Sequence, residues 1–375
     1  MSFPEHHVHG LAGDDMPPDW PPLTATELAR VLDAYPALGT PRHIVWHSPR
    51  PLSSAALVDT GGGCVFVKRH HRSVRSVVSL GEEHAFAAWL TGHGMLVPAV
   101  LADRHGRTAT ALCDWVYEIH APARGRDVYR DTMSWVPLTD LGRAHRAGAM
   151  LARFHRAADG YAAAQRSTHR LVARSELIEA ADPVAALQAQ LTQRPDLAVY
   201  LSGRPWQAEL AAVFGPQHAQ TAARLRAQPR CWTHGDWHVS NLCWSDDGAD
   251  ARITDVLDFG LAARTFALFD LATAIERNAI AWLEPGTNRA RPGTAFALIA
   301  GYQDEHPLTR ADLDLLAELL PIVHVDFAIS EVDYFHGATH SRAHADVAWD
   351  TFLRGHAAWF RSTDGRRLLA TIRAA

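Results

Sequence analysis

The extended signals of this chain crowd into residues 42 to 120, and beyond them the pattern turns helical, which calls for a small sheet unit followed by a larger helical one, an α+β architecture. Three runs open the sheet: RHIVWH at 42–47, SAALVD at 54–59 and CVFVKRH at 64–70. The last two are joined by Thr60-Gly61-Gly62-Gly63, a hairpin signal. Alternation along CVFVKRH puts Val65 and Val67 on one face and Cys64, Phe66 and Lys68 on the other. A helix is expected over Ser76 to Leu90, carrying Glu82 and Glu83, and a strand over Val97 to Ala102. The turn RHGR (104–107) then leads into TATALCDWVYEIHAP, which completes the sheet.

Beyond residue 120, the spacing of Leu141, Ala144, Gly148, Leu151, Ala152 and His155 predicts an amphipathic core helix to Ala157. An alanine-rich stretch, 176–227, is interrupted by Pro183, Pro195, Pro205 and Pro216 at helix-breaking intervals. Residues 1–22, with His6, His7, His9 and the PPDWPP segment, read as a loose arm whose histidines could hold a metal incidentally. The arm ends where Thr24 or Thr26 caps a short helix to about Tyr35. The division expected is an arm (1–22), a sheet lobe (23–118) and a helical lobe (119–375).

At 375 residues, 47% of them apolar, the chain can bury two cores. No apolar run approaches the ~18 residues that span a bilayer, so no membrane partner is expected and the cytoplasm is the expected compartment. Cys64, Cys113, Cys231 and Cys243 form no C-x-x-C pair and read as reduced core residues. A net charge of −5 without basic blocks argues against nucleic acid as a partner. Of 36 basic residues, Lys68 is the only lysine. Arginine and lysine are not interchangeable where a compact charge meets phosphate oxygens, so this position is either functional or a chance survival.

The chemistry concentrates in CWTHGDWHVSNLCWSDDGADARITDVLDFG, residues 231–260, which reads as loop, strand, turn, strand, loop. His234 and His238 would share a face for a metal only on a helix, and no Glu sits beside His234 as a general base. Folding the hairpin about residue 249 or 250 pairs position 241 with 258, setting Asn241 beside Asp258 with Asp236 a few residues upstream. An amide oxygen and a carboxylate make a hard oxygen site suited to magnesium.

H-G-D-x-H-x-x-N followed by a hydrophobic residue, x and D-F-G resembles the catalytic and metal-binding loops of the aminoglycoside phosphotransferase and choline kinase family, relatives of the protein kinases. Within it the chain looks similar to the homoserine kinase and stress-response kinase branches. The resemblance covers about residues 40 to 340 and implies a two-lobed protein-kinase-like fold, ATP and Mg²⁺ as cofactors, and a small hydroxylated molecule (amino alcohol, sugar or aminoglycoside-like) as acceptor. Asp236 would orient the acceptor hydroxyl and take its proton, and Asn241 and Asp258 would hold Mg²⁺. Lys68 would contact the α and β phosphates, fixed by Glu83, with Glu82 as the alternative. His234, His238 and Asp270 would brace the loop.

SPRPLSS, 48–54, takes the nucleotide-loop position without a glycine, a departure from the protein kinases, and the hydroxyls of Ser53 and Ser54 are candidates for phosphate contact. The hinge that reads adenine is expected near Asp114 to Ala123. For the acceptor, candidates are Arg277, beside Glu276 and Asn278, and a set on one downstream helix: Glu331, Asp333, Tyr334 and His336, with Asp326 nearby. Acids there would suit an amine, and Arg277 a carboxylate; a structural network reads equally well. Alternatives to small-molecule transfer are a serine/threonine protein kinase and a catalytically silent nucleotide-binding regulator. The chain is expected as a monomer or homodimer.

Overall fold

The computed structural model describes residues 19–130, 135–284 and 289–375. The His6, His7 and His9 reading lies outside them. Five antiparallel strands form one sheet in the order β1-β2-β3-β5-β4: β1 (Pro41–His47), β2 (Ser54–Thr60), β3 (Gly63–His71), β4 (Ala109–Leu112) and β5 (Trp115–His120). In β2 and β3, Ala56, Val58, Val65 and Val67 join Tyr117 and Ile119 of β5 under α1 (Ala25–Leu32), where they meet Leu28, Val31 and Leu32. Thr24 caps that helix through a reciprocal bond with Glu27. The opposite face carries Ala55, Leu57, Phe66 and Lys68 into a cleft, whereas Cys64 and Cys113, expected in the core, lie exposed at hairpin ends. No strand forms over 97–102. That segment runs beside β5 through the single bridge Val100↔His120 and a Leu101 N–H bond to the Ile119 carbonyl, so the sheet does not gain a sixth strand there.

The helix α2 (Val77–Gly92) starts at Ser76, which caps it through Ser79. Beyond the sheet, α3 (Leu141–Ala158) packs against the helix Pro292–Glu305 at a separation only glycine allows. A Cβ at Gly148 would lie 2.0 Å from the Leu298 carbonyl oxygen, and one at Gly301 1.8 Å from that of His145. The large core around α3 takes in Trp237 and Phe259, so the loops that carry Asp236 and Asp258 are pinned from beneath. The Phe259 ring sits between Phe86 of α2 and Phe154 of α3, with centroids 6.1 and 6.2 Å away.

Candidate active site

Two short hairpins in the helical region build the floor of the cleft. Strand β6 (Arg230–Thr233) pairs with a later strand, Ala263–Phe266, and delivers His234. The second hairpin joins Leu242–Trp244 to Ile253–Val256. Leu242 faces Val256, and the Leu257 N–H donates to the Asn241 carbonyl at 2.8 Å. Asn241 is therefore opposite Leu257, one residue short of the expected partner: the ladder leaves the turn as Trp244↔Ile253, a register that would set 241 against 256, and the bulge between Cys243 and Trp244 recovers one residue. Asp258 comes next, with its backbone in the left-handed region at φ 55°.

The loop between β6 and Asn241 is held by hydrogen bonds to buried groups. Asp270, on the helix Ala267–Asn278, accepts the N–H groups of His234 (2.7 Å) and Gly235 (2.8 Å). It also lies 3.2 Å from His155 Nε2, and although burial opposes its charge, His155 and His234 hold its carboxyl below the usual range. Gly235, at φ 75°, has no room for a side chain: a Cβ would meet Ala173 and the Leu261 carbonyl at 2.7 Å. His234 donates from Nε2 to the Leu257 carbonyl (2.8 Å) and accepts the Asp236 N–H on Nδ1 (3.2 Å). His238 accepts the Ser240 N–H on Nδ1 (3.3 Å) and reaches the Val136 carbonyl from Nε2 (3.4 Å). Burial drives its imidazole down to about 4, so the ring is neutral at physiological pH. All four ring nitrogens are spent on the loop, which leaves the pair of histidines no free metal-ligand edge.

Asp236 is half-buried at the tip of that loop. Its Oδ2 accepts the Asn241 amide at 3.1 Å, and its Oδ1 lies 2.6 Å from Arg277 Nη1. The Asn241 amide nitrogen also donates to the Asp236 carbonyl, so the amide oxygen is the end left to meet a cation. Lys68 Nζ lies 3.0 Å from Asp258 Oδ1, which also accepts the Gly260 N–H at 3.1 Å. Both bonds fall on Oδ1, leaving Oδ2 as a second hard oxygen donor. Burial works against the Lys68 charge, but Asp258, Glu118 and Glu83 outweigh it and raise the ammonium above its usual value. Asp258 in turn is held down to about 2: burial raises it, and Lys68 more than reverses that. Lys68, Asn241, Asp258 and Ser53 line one cleft, together with Ala121, Pro122 and Ala123 from the segment after β5.

Three expectations need correction. Glu83 makes no hydrogen bond to Lys68. Its Oε1 is taken by Arg75 (3.0 Å) and Arg166 (2.5 Å), two buried guanidiniums that also bond the Gly260 and Ala262 carbonyls. Glu83 thus ties α2 to the segment just after Asp258, while Glu82 pairs with Arg166 at 3.1 Å. Ser54 is not on the cleft. It stands opposite Arg69 on the other face of the sheet and donates to the Pro21 carbonyl at 2.8 Å, because alternation along β2 sends its neighbour Ala55 to the cleft.

The helix Val325–Gly337 also departs from the expectation that it carries acceptor groups. Asp333 is buried between Arg194 (3.0 Å) and Arg170 (3.1 Å), and Tyr334 bonds Asp19 and Trp20 at 2.9 Å each. Glu331 is fully buried, and His336 packs edge-on against Tyr200. These four side chains belong to packing and ion-pair networks of the helix. Of the expected acceptor set only Arg277 reaches Asp236, with its guanidinium held over Trp135 (4.5 Å) and Phe327 (5.2 Å).

Sequence reasoning missed Arg75 and Arg166, since nothing sets two arginines apart in a chain where arginine is the default cation. Asn278, named beside Arg277 as part of a candidate acceptor cluster, instead braces the loop: its amide bonds the Trp237 carbonyl (2.8 Å) and the Val239 N–H (3.0 Å).

A family model described as "Phosphotransferase enzyme family" matches residues 52–310. No curated protein matches the chain. Among solved structures, the fold is similar to an amicoumacin kinase in complex with AMP-PNP and Ca²⁺ (TM-score 0.58, 15% identity, covering 88% of this chain and 92% of that one). It is similar also to a microcompartment-associated aminopropanol kinase (TM-score 0.54, 19% identity, 90% and 99%) and to a spectinomycin phosphotransferase in complex with ADP and its substrate (TM-score 0.52, 10% identity, 93% and 98%). With a family match over most of its length and the two-lobed kinase-like fold around the cleft, the chain belongs to the phosphotransferase enzyme family.

Proposed function

We propose that this enzyme transfers the γ-phosphoryl group of ATP, with Mg²⁺, to a hydroxyl of a small molecule. The observation that carries the reading is that Lys68 and Asp258 meet on one cleft with Asn241, whose amide in turn holds Asp236 beside Arg277. Lys68 meets the α and β phosphates as a compact charge. The Asn241 amide oxygen and Asp258 Oδ2 are the donors that hold Mg²⁺, an oxygen-only set that suits a hard cation. When bound, the cation neutralises phosphate charge during transfer.

Asp236 orients the acceptor hydroxyl and takes its proton as the O–P bond forms. Asn241 holds the carboxylate at Oδ2 and Arg277 pairs with the buried Oδ1, so both oxygens are fixed and the Oδ2 side is the one open to the acceptor. Phosphoryl transfer asks for positioning and charge neutralisation more than covalent chemistry, and this chain offers carboxylates, an amide, one ammonium and one guanidinium for that task. Ser53, on the cleft wall, is the hydroxyl placed to meet phosphate. The amine acceptors named for related folds are small molecules, and the burial of Glu331 and Asp333 removes the acid pair that would have favoured an amine here.

The test is Asp236→Asn, assayed over a panel of amino alcohols, sugars, hydroxy acids and aminoglycosides with Mg-ATP. Turnover should fall about 10²- to 10⁴-fold with nucleotide affinity nearly intact. Full turnover in the variant removes Asp236 from this role.

A further inference from the structure

We propose that His84, Glu118 and His120 form a transition-metal site in the wall of the cleft, apart from the oxygen donors Asn241 and Asp258. His84 comes from the middle of α2, and Glu118 and His120 share a face of β5 two residues apart. His84 Nε2 lies 2.7 Å from Glu118 Oε2, and His120 Nε2 lies 3.0 Å from the same oxygen. The three ligand atoms lie within 4.8 Å of one another. Two imidazoles and one carboxylate are the donor set of an open, borderline-soft site of the Zn²⁺ or Co²⁺ kind, where a fourth position faces the cavity. Tetrahedral zinc holds neighbouring ligand atoms about 3.3 Å apart, so the two short separations need open by only roughly half an ångström.

The surroundings fit ligand duty. His84 Nδ1 lies 2.8 Å from the Thr108 hydroxyl, and His70 Nε2 lies 3.0 Å from Glu118 Oε1, the oxygen that the two ligand rings leave alone. Metal-bound imidazoles and carboxylates are held in this way through their far atoms. The open side of the site is His120, whose side chain keeps 23% of its surface exposed, whereas His84 and Glu118 are buried. None of the three is assigned to bind phosphate, Mg²⁺ or the acceptor, although Glu118 supports the Lys68 charge; metal binding is read without nucleotide, so the outcome here and the outcome of the turnover assay are separate.

The experiment uses the full chain carrying His6→Ala, His7→Ala and His9→Ala, which removes the competing histidines of the amino terminus. Equilibrium dialysis with Co²⁺ or Zn²⁺ alone, followed by metal analysis and Co²⁺ visible absorption, should give one ion per chain with nitrogen-containing coordination. His120→Asn, at the exposed edge and so least able to disturb folding, should weaken binding at least about 10-fold, as should His84→Asn and Thr108→Val. Far-UV circular dichroism verifies that each variant is folded. Absence of a stoichiometric ion on the parent chain, or undiminished affinity in folded His120→Asn, overturns the site.

Discussion

Arg277 Nη1 sits 2.6 Å from Asp236 Oδ1, with its guanidinium over the Trp135 and Phe327 rings. A guanidinium held this way stays put while the carboxylate beside it works. Arg277→Ala is expected to lower kcat about 10²-fold, the usual cost of one preorganised charged donor, with Arg277→Lys recovering part of it. Steady-state kinetics decide the matter, since a rise in KM alone would place Arg277 on the acceptor instead of on Asp236.

Lys68 is the sole ammonium of the chain and bridges to Asp258 at 3.0 Å. Lys68→Met should reduce kcat/KM for the nucleotide about 10²-fold, and Lys68→Arg should not restore it, because a planar fork does not replace a compact charge here. Recovery by arginine would show that charge alone suffices.

Glu83 neutralises two buried guanidiniums, Arg75 and Arg166, rather than Lys68. Removing its charge leaves both cations uncompensated in the interior. Glu83→Gln should therefore cost about 3 kcal/mol of stability in urea unfolding, beyond any effect on turnover. A stable but inactive variant would point back to a direct Lys68 partnership.

Asp326 is buried and accepts the Leu177 and Ile178 N–H groups at 3.1 and 3.3 Å, yet burial first, and then Glu176, push its carboxyl up to about 7. A group whose folded value lies above its ordinary 3.8 contributes stability that is complete below that value and lost as pH rises through about 7. Its contribution should thus decline between about pH 4 and pH 7, by at most roughly 1.4 kcal/mol per unit. Asp326→Asn should flatten the dependence in denaturation series at stepped pH, and an unchanged slope would assign the effect elsewhere.

Gly301 sits where a Cβ would be 1.8 Å from the His145 carbonyl oxygen. Gly301→Ala should force α3 and its partner helix apart and cost about 1–3 kcal/mol. An unshifted thermal midpoint would mean that the helices separate freely.

What the sequence by itself determined was local. Period-two alternation put Lys68 on the opposite face from Val65 and Val67, turn chemistry marked the hairpin at Thr60-Gly61-Gly62-Gly63, and residues 234–241 with 256–260 carried a motif specific enough to point to the family. These features depend on short stretches of backbone, whose preferences are written in adjacent residues. The tertiary structure alone decided the partners. Arg75 and Arg166 approach Glu83 from turns far apart in the chain, Ser54 turns from the cleft by the register of its strand, and the register of the second hairpin, bulge included, sets Asn241 opposite Leu257 and not Asp258. An ion pair depends on where a charge comes to rest after the core has packed, and the chain holds 35 arginines from which spacing cannot choose. The same packing drew Asp333 and Tyr334 into the interior, where neighbours contributed by distant segments satisfy them.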